Sequence, residues 1–222
     1  MSLIIISILI LGCKDNSFDG WEKTDDGYYQ KTIEPYKNYG KRINKTLYDT
    51  LNGTFEVFNK NGTINHRGEF KDGKIYGNLY EYDSNQKLKE YSFIWEDCGT
   101  CKDLPAAHYI MKYDSLGMQV DYSGKALIYW NFDNYKLNKN DSLEINVVLA
   151  KPPFFETELS VFEKNSNKEL FVLPNPKNHN KIKIGFNSLG NKNLRIQYRL
   201  AQESSPYGMI STADIDNILV YE

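Results

Sequence analysis

Two cysteines three positions apart, Cys98 and Cys101 in the run EDCGTCKD, are the residues of this chain best suited to chemistry. A Cys-x-x-Cys pair can close a local disulfide, expose a thiolate nucleophile, or supply half of a metal site. His108 would be the next ligand of such a site, but Cys-x2-Cys-x6-His has no fourth ligand and not the usual spacing. The chain's three histidines, His66, His108 and His179, lie in separate segments without flanking partner patterns. No Gly-x-Ser-x-Gly, phosphate loop, His-Glu-x-x-His or dinucleotide fingerprint occurs. Carboxylates are numerous, yet a glycosidase pair would have to assemble from distant strands. The expectation is therefore a non-enzymatic protein without metal or cofactor. For binding, Trp95, Tyr129 and Trp130 offer rings on which a sugar could stack. Strand alternation turns one of Tyr129 and Trp130 inward. The hairpin stretch from Asn65 to Lys74, with His66, Arg67, Lys71 and Asp72, offers a polar partner surface.

The elements that hold these residues follow from composition and pattern. At 222 residues the chain has room for one or two domains with a real core. A net charge of −2 gives no electrostatic reason to expect nucleic acid. A mean hydropathy of −0.58 fits a soluble body rather than a multi-span membrane protein. The 17 Tyr and 11 Phe favour half-buried pleated surfaces and so a mainly β chain.

Residues 3–11 read LIIISILIL, too short to cross a bilayer, which needs about 20 apolar residues, but suited to the core of a secretory signal. The ending Ile10-Leu11-Gly12-Cys13 resembles the lipobox of bacterial lipoproteins. That resemblance implies a signal peptide over 1–12 and a Cys13 that becomes the lipid-bearing first residue, with the membrane as a partner. Two or more acyl chains hold a protein firmly where one does not. Lys14-Asp15-Asn16 is similar to the signal that sends lipoproteins to the cell surface in one Gram-negative phylum. Asp49-Thr50-Leu51, Asp114-Ser115-Leu116 and Asp141-Ser142-Leu143 resemble the short O-glycosylation sequon of the same bacteria, while Asp-Ser/Thr is also common turn chemistry. An outer-membrane, periplasmic or surface-exposed location is expected. Residues 13–27 read as a tether.

A repeat organises the next region. Gly77 follows Gly53 at an offset of 24 residues, and Phe55 aligns with Leu79, Phe58 with Tyr82, Asn59 with Asp83 and Ile64 with Leu88. A period in the twenties signals stacked supersecondary units. Alternation predicts strands over 54–58, 63–70, 79–82 and 87–93, with turns at Asn59–Gly62, Lys71–Lys74 and Asp83–Gln86. The stretch before it, GYYQKTIEPYKNYG, has the texture of a degenerate cap. The Gly, paired aromatics, turn and Gly over residues 50–95 look like the MORN-repeat variant of bacterial proteins. Some members of that family are described as antitoxins, and related eukaryotic repeats are linked to membrane or protein contacts. The resemblance thus implies stacked β-hairpins over 28–97 and, as an alternative role, an inhibitor of immunity type.

The segment FIWEDCGTCK resembles the strand-to-helix entry of thioredoxins, which implies thiol-disulfide exchange through Cys98 and Cys101 as a further alternative. Alternating helices and strands should then follow, but the sequence beyond Leu104-Pro105 is β-rich. In an oxidising compartment the pair also reads as a local disulfide in a connector over 98–107. Beyond it, strands are predicted at 108–113, 118–122, 126–132, around Leu143–Leu149, Leu159–Val161, Leu170–Leu173, Ile182–Phe186, Leu194–Leu200 and Ile215–Tyr221. That spacing indicates an antiparallel β-sandwich of immunoglobulin or jelly-roll type over 108–222. Asp214 and Asp216 could feed a structural calcium, but period two more simply puts both on the solvent side. The functional expectation is a lipid-anchored envelope protein that binds a protein or a glycan.

Overall fold

The computed structural model describes residues 20–47, 52–95, 109–130, 136–202 and 208–221, with the side chains of 128–130 excepted. The fold is mainly β, and no helix occurs among the described residues. A nine-stranded antiparallel sheet comes first, in strict chain order. Its strands are β1 (Glu22–Lys23), β2 (Tyr29–Ile33), β3 (Lys41–Thr46), β4 (Gly53–Phe58), β5 (Ile64–Lys71), β6 (Lys74–Tyr82), β7 (Leu88–Ile94), β8 (Tyr109–Tyr113) and β9 (Gln119–Gly124).

The 24-residue period is visible in the backbone. β4 and β5 slip register between Val57 and Phe58, and β6 and β7 slip between Glu81 and Tyr82, the equivalent place. Each slip leads into the same turn. Asn59 and Asp83 donate their N–H to the carbonyl four residues on, and each carbonyl accepts from the residue three on. Thr24 and Asp114 do the same, so the motif recurs in four hairpins. The fourth turn residue has positive φ in all of them, which explains Gly27, Gly62 and Gly117, with Gln86 the exception. Gln86 also ties neighbouring turns together, since its side chain accepts from the Ile64 N–H and donates to the Ile64 carbonyl.

The remaining strands form two sheets. One holds β10 (Leu127–Trp130), β12 (Ser142–Leu149) and β15 (His179–Gly185) in the order β10-β12-β15. The other holds β11 (Lys136–Asn138), β13 (Glu156–Glu163), β14 (Lys168–Pro174), β16 (Gly190–Ala201) and β17 (Met209–Tyr221) in the order β11-β17-β16-β13-β14. β11 runs parallel to β17, and every other pairing is antiparallel. Alternate residues Leu143, Ile145 and Val147 meet Leu159, Val161, Leu194, Ile196 and Ile215 in one buried cluster, so the two sheets form a sandwich.

Two boundaries differ from the sequence expectation. β8 and β9 pair with β7 and continue the first sheet to Gly124, rather than opening the sandwich at 108. The reason is legible in β8: Tyr109, Met111 and Tyr113 line up with Tyr91 and Phe93 on one face of the sheet. At the other end, β1 lies inside the stretch expected as a tether, and Trp21 packs on the sheet's second cluster.

The two units share a core. Tyr91, Phe93, Tyr109, Met111 and Tyr113 of the nine-stranded sheet bury against Leu127, Leu149, Ala150, Tyr198 and Leu200, which lie at one end of the sandwich. The seam is hydrogen-bonded as well as apolar. Tyr91 Oη donates to Asn78 Oδ1 at 2.8 Å and accepts the Lys151 N–H at 2.8 Å. Tyr198 Oη donates to the Ala150 carbonyl at 2.7 Å, and Tyr113 Oη to the Pro153 carbonyl at 3.3 Å. Buried hydroxyls left without partners would be costly, and these have them.

Candidate functional site

The opposite face of the nine-stranded sheet is where a site can form. Pairing of Val57 with His66 and Phe55 with Gly68 puts Phe55, Val57, His66, Gly68 and Phe70 on that face. Pairing of Gly68 with Leu79 and His66 with Glu81 adds Leu79 and Glu81. No second sheet covers them among the described residues. The β2–β3 loop, residues 34–40, crosses over instead, with Trp21, Tyr36, Tyr39 and Ile75 packed on Phe55, Val57, Phe70, Leu79 and Ile94. The loop is fastened by a Gly40 N–H to Phe58 carbonyl bond of 2.9 Å and by a tight turn from Tyr39 N–H to the Tyr36 carbonyl of 2.8 Å.

A groove of about 320 Å³ remains between loop and sheet. Residues 36–39 form one wall, and Phe55, Val57, His66, Ile75 and Leu79 form the rest. Gly68 explains part of its shape. A Cβ there would sit 2.9 Å from Phe55 Cε1 and 3.1 Å from Leu79 Cδ1, so only a glycine lets the Phe55 ring lie flat across β5. The rings are held from behind. Arg42 lies 4.5 Å from the Phe55 centroid and 5.4 Å from that of Tyr36, donates from Nη1 to Tyr36 Oη at 3.2 Å, and from Nε to Asn44 Oδ1 at 2.7 Å. Tyr36 and Tyr39 stack with centroids 6.4 Å apart, and Tyr39 meets the His66 ring edge-on at 5.6 Å.

His66 is the polar centre of this wall. Burial lowers its pKa, partly opposed by the Glu81 carboxylate, so the imidazole is neutral at neutral pH. Its Nε2 is 3.9 Å from Glu81 Oε2, beyond hydrogen-bond reach, while Glu81 Oε1 takes Lys89 Nζ at 2.6 Å. The ring is thus half-buried, with no hydrogen bond from either nitrogen among the described residues. A neutral imidazole offers one donor and one acceptor, and the ring that carries them lines the groove.

The sequence-derived surface from Asn65 to Lys74 is divided by the strand. His66 faces the groove, and Arg67 faces the other way, paired with Glu56 at 2.7 Å. Lys71 and Asp72 lie at the β5–β6 turn, where the Asp72 N–H donates to Asn52 Oδ1 at 3.1 Å. Lys71 Nζ stands 5.3 Å from the Tyr76 centroid. Trp95 joins a second aromatic group, with Tyr76 at 5.7 Å and His179 at 5.0 Å. Tyr76 Oη and His179 Nε2 are 3.4 Å apart, so this group bridges the nine-stranded sheet and the sandwich. The register sets Tyr129 opposite Val147 and Trp130 opposite Asn146. Cys13, Cys98, Cys101, His108 and the Asp49–Leu51 triplet lie outside the described residues.

Asp214 and Asp216 both pair with Lys164, at 2.8 and 3.3 Å, and Asp214 also takes Arg195 at 3.0 Å. Hydrogen bonds from Arg195 and Lys164 hold the Asp214 carboxyl below its usual range. No cluster of three or more metal-ligating side chains occurs among the described residues. Asp114 serves its turn, accepting from the Leu116 and Met118 N–H groups at 2.8 and 2.9 Å.

Sequence reasoning missed Tyr36, Tyr39 and Arg42. The available signal was the density of rings around Pro35 in a stretch too irregular for a strand. No protein-family model and no curated protein matches the chain.

Proposed function

We propose that this protein is a lipid-anchored component of the cell envelope that binds a glycan or a protein segment without acting on it chemically. The groove between loop 34–40 and the sheet carries the reading: it is small-molecule sized, ring-lined, and holds a polar group with open valences. The anchor rests on Cys13 and its lipobox-like run, which would place the groove outside the cytoplasm, on the outer membrane. The resemblance of residues 50–95 to MORN-variant hairpins is in keeping with a contact role rather than catalysis. Metabolic labelling with an alkyne fatty acid tests the anchor. Wild-type protein should carry the label and Cys13→Ala should not, and an unlabelled wild type would remove the anchored reading. Tyr39→Ala, which opens the groove wall, should weaken retention of the protein on envelope polysaccharide or a defined envelope partner about tenfold.

A further inference from the structure

The groove's chemistry narrows its occupant. We infer that it takes a neutral saccharide, one pyranose ring laid against the Tyr36–Tyr39 and Phe55 rings with a ring hydroxyl on His66. This rests on the binding role proposed above for the same groove.

Three observations point the same way. First, the walls suit a ring that is apolar on its faces and polar at its edge. Tyr39, Phe55 and Leu79 supply flat or aliphatic surface, while Asn38 and His66 supply hydrogen-bonding groups at the rim and floor. Second, His66 has no protein hydrogen bond to give up. Its side chain is only 14% exposed, and neither ring nitrogen has a hydrogen bond among the described residues. A half-buried polar ring in that condition gains from a ligand hydroxyl, which can donate to the bare nitrogen or accept from the other's N–H.

Third, the nearby charges are already engaged. Glu81 is neutralised by Lys89 at 2.6 Å, and Arg42 is fixed between two rings by Tyr36 Oη and Asn44. His66 itself is neutral. The one ammonium of the lining, Lys37, is solvent-exposed at the rim with Nζ 5.7 Å from the Tyr36 centroid, so a phosphate or carboxylate would meet no buried cation in the groove, and a cation no free carboxylate, among the described residues. A volume of about 320 Å³ stands near the lower end of small-molecule sites, about 300–1,000 Å³, enough for one or two sugar rings rather than a folded partner's surface.

Saturation-transfer NMR on the full chain, held in a detergent without a sugar head group, tests this. The probes are cellobiose, maltose, lactose and chitobiose, with glucuronic acid and a Gly-Tyr-Gly peptide alongside. Transfer to the ring C–H protons of at least one neutral disaccharide is expected, at millimolar concentration. Tyr39→Ala and His66→Phe, each checked for an unchanged circular-dichroism spectrum, should weaken it about tenfold, the loss of one ring contact or hydrogen bond. Transfer to glucuronic acid alone, or to no probe, overturns the inference. So does sugar transfer that both variants leave unchanged. Transfer to the peptide alone, lost in Tyr39→Ala, overturns the saccharide while keeping the groove as a binding site, and labelling at Cys13 is unaffected by any of these outcomes.

Discussion

The two faces of the nine-stranded sheet bury aromatic rings in opposite ways. On the sandwich side, Tyr91, Tyr109 and Tyr113 are closed in; the hydroxyls of Tyr91 and Tyr113 end on backbone or amide groups, and that of Tyr109 on Met209 Sδ at 3.7 Å. On the loop side, Tyr36 and Tyr39 rest on Phe55 and Leu79, and His66 keeps two nitrogens without a bond among the described residues. Closure on one face is what stability requires; incompleteness on the other is what binding requires. The same residue types serve both ends, and the covering element decides which.

The sharpest way to break this contrast is to truncate one ring on each face. Tyr91→Ala should cost about 3–5 kcal/mol in denaturant unfolding, as for other large buried aromatics. Tyr91→Phe, which strands the Lys151 N–H and Asn78, should cost about 1–3 kcal/mol. Tyr39→Ala should stay under about 1 kcal/mol, because its ring is only partly covered. Equal losses at Tyr91 and Tyr39 would erase the distinction.

Alkaline titration sharpens it next. Burial raises the pKa values of Tyr91, Tyr109, Tyr113 and Tyr198 above their ordinary value of 10.0. The unfolded chain therefore loses these protons first as pH rises past that value, and the folded state holds them. Stability should be level below it and fall steadily above it, with the sandwich seam opening first. Urea midpoints measured from pH 8 upward check this. A flat profile would mean that the seam tyrosines are not closed in. His66 has the opposite sense: its pKa is lowered, so its contribution is present above the unfolded value of 6.5 and lost as pH falls below it.

Gly68→Ala probes the groove floor from beneath. The added Cβ meets the Phe55 ring at 2.9 Å, so about 1–3 kcal/mol of destabilisation is expected, with ligand weakened through a ring that no longer lies flat. The smallest effect belongs to the sandwich surface. Glu144 is held at a pKa of about 2 by hydrogen bonds from Lys181 and Lys183, but all three are solvent-exposed. Glu144→Gln should leave the unfolding midpoint unmoved at neutral pH and ordinary salt.

Much of the scaffold was legible because it is local. Alternating residues and the Asn59, Asp83 and Asp114 turns place their strands within a residue or two, except that the strand expected at 79–82 begins at Lys74, since period and turn chemistry act over four to eight positions. The groove was not, because it depends on which strands lie side by side and on where one irregular loop runs. Tyr36 and Tyr39 reach Phe55 and His66 only once β3 lies between β2 and β4. Arg67 beside His66 was a subtler loss: strand alternation alone separates the two, and a surface read along the chain joins what the pleat parts. The 109–124 hairpin was read as sandwich because membership of a sheet is set by what Tyr109 and Met111 face, a long-range property.

The loop over the groove has one more implication. Strand order puts 34–40 on the same edge of the sheet as the short turns at Asn59, Asp83 and Asp114. It takes the place of a turn that the same end of the sheet elsewhere builds from four residues, and the flanking strands keep their regular pairing. The groove wall and the paired strands are therefore carried by separate segments of the chain. Changing residues 34–40 would rebuild the groove wall without touching the paired strands, and an insertion at any of the other three turns could give the same frame a second covering loop.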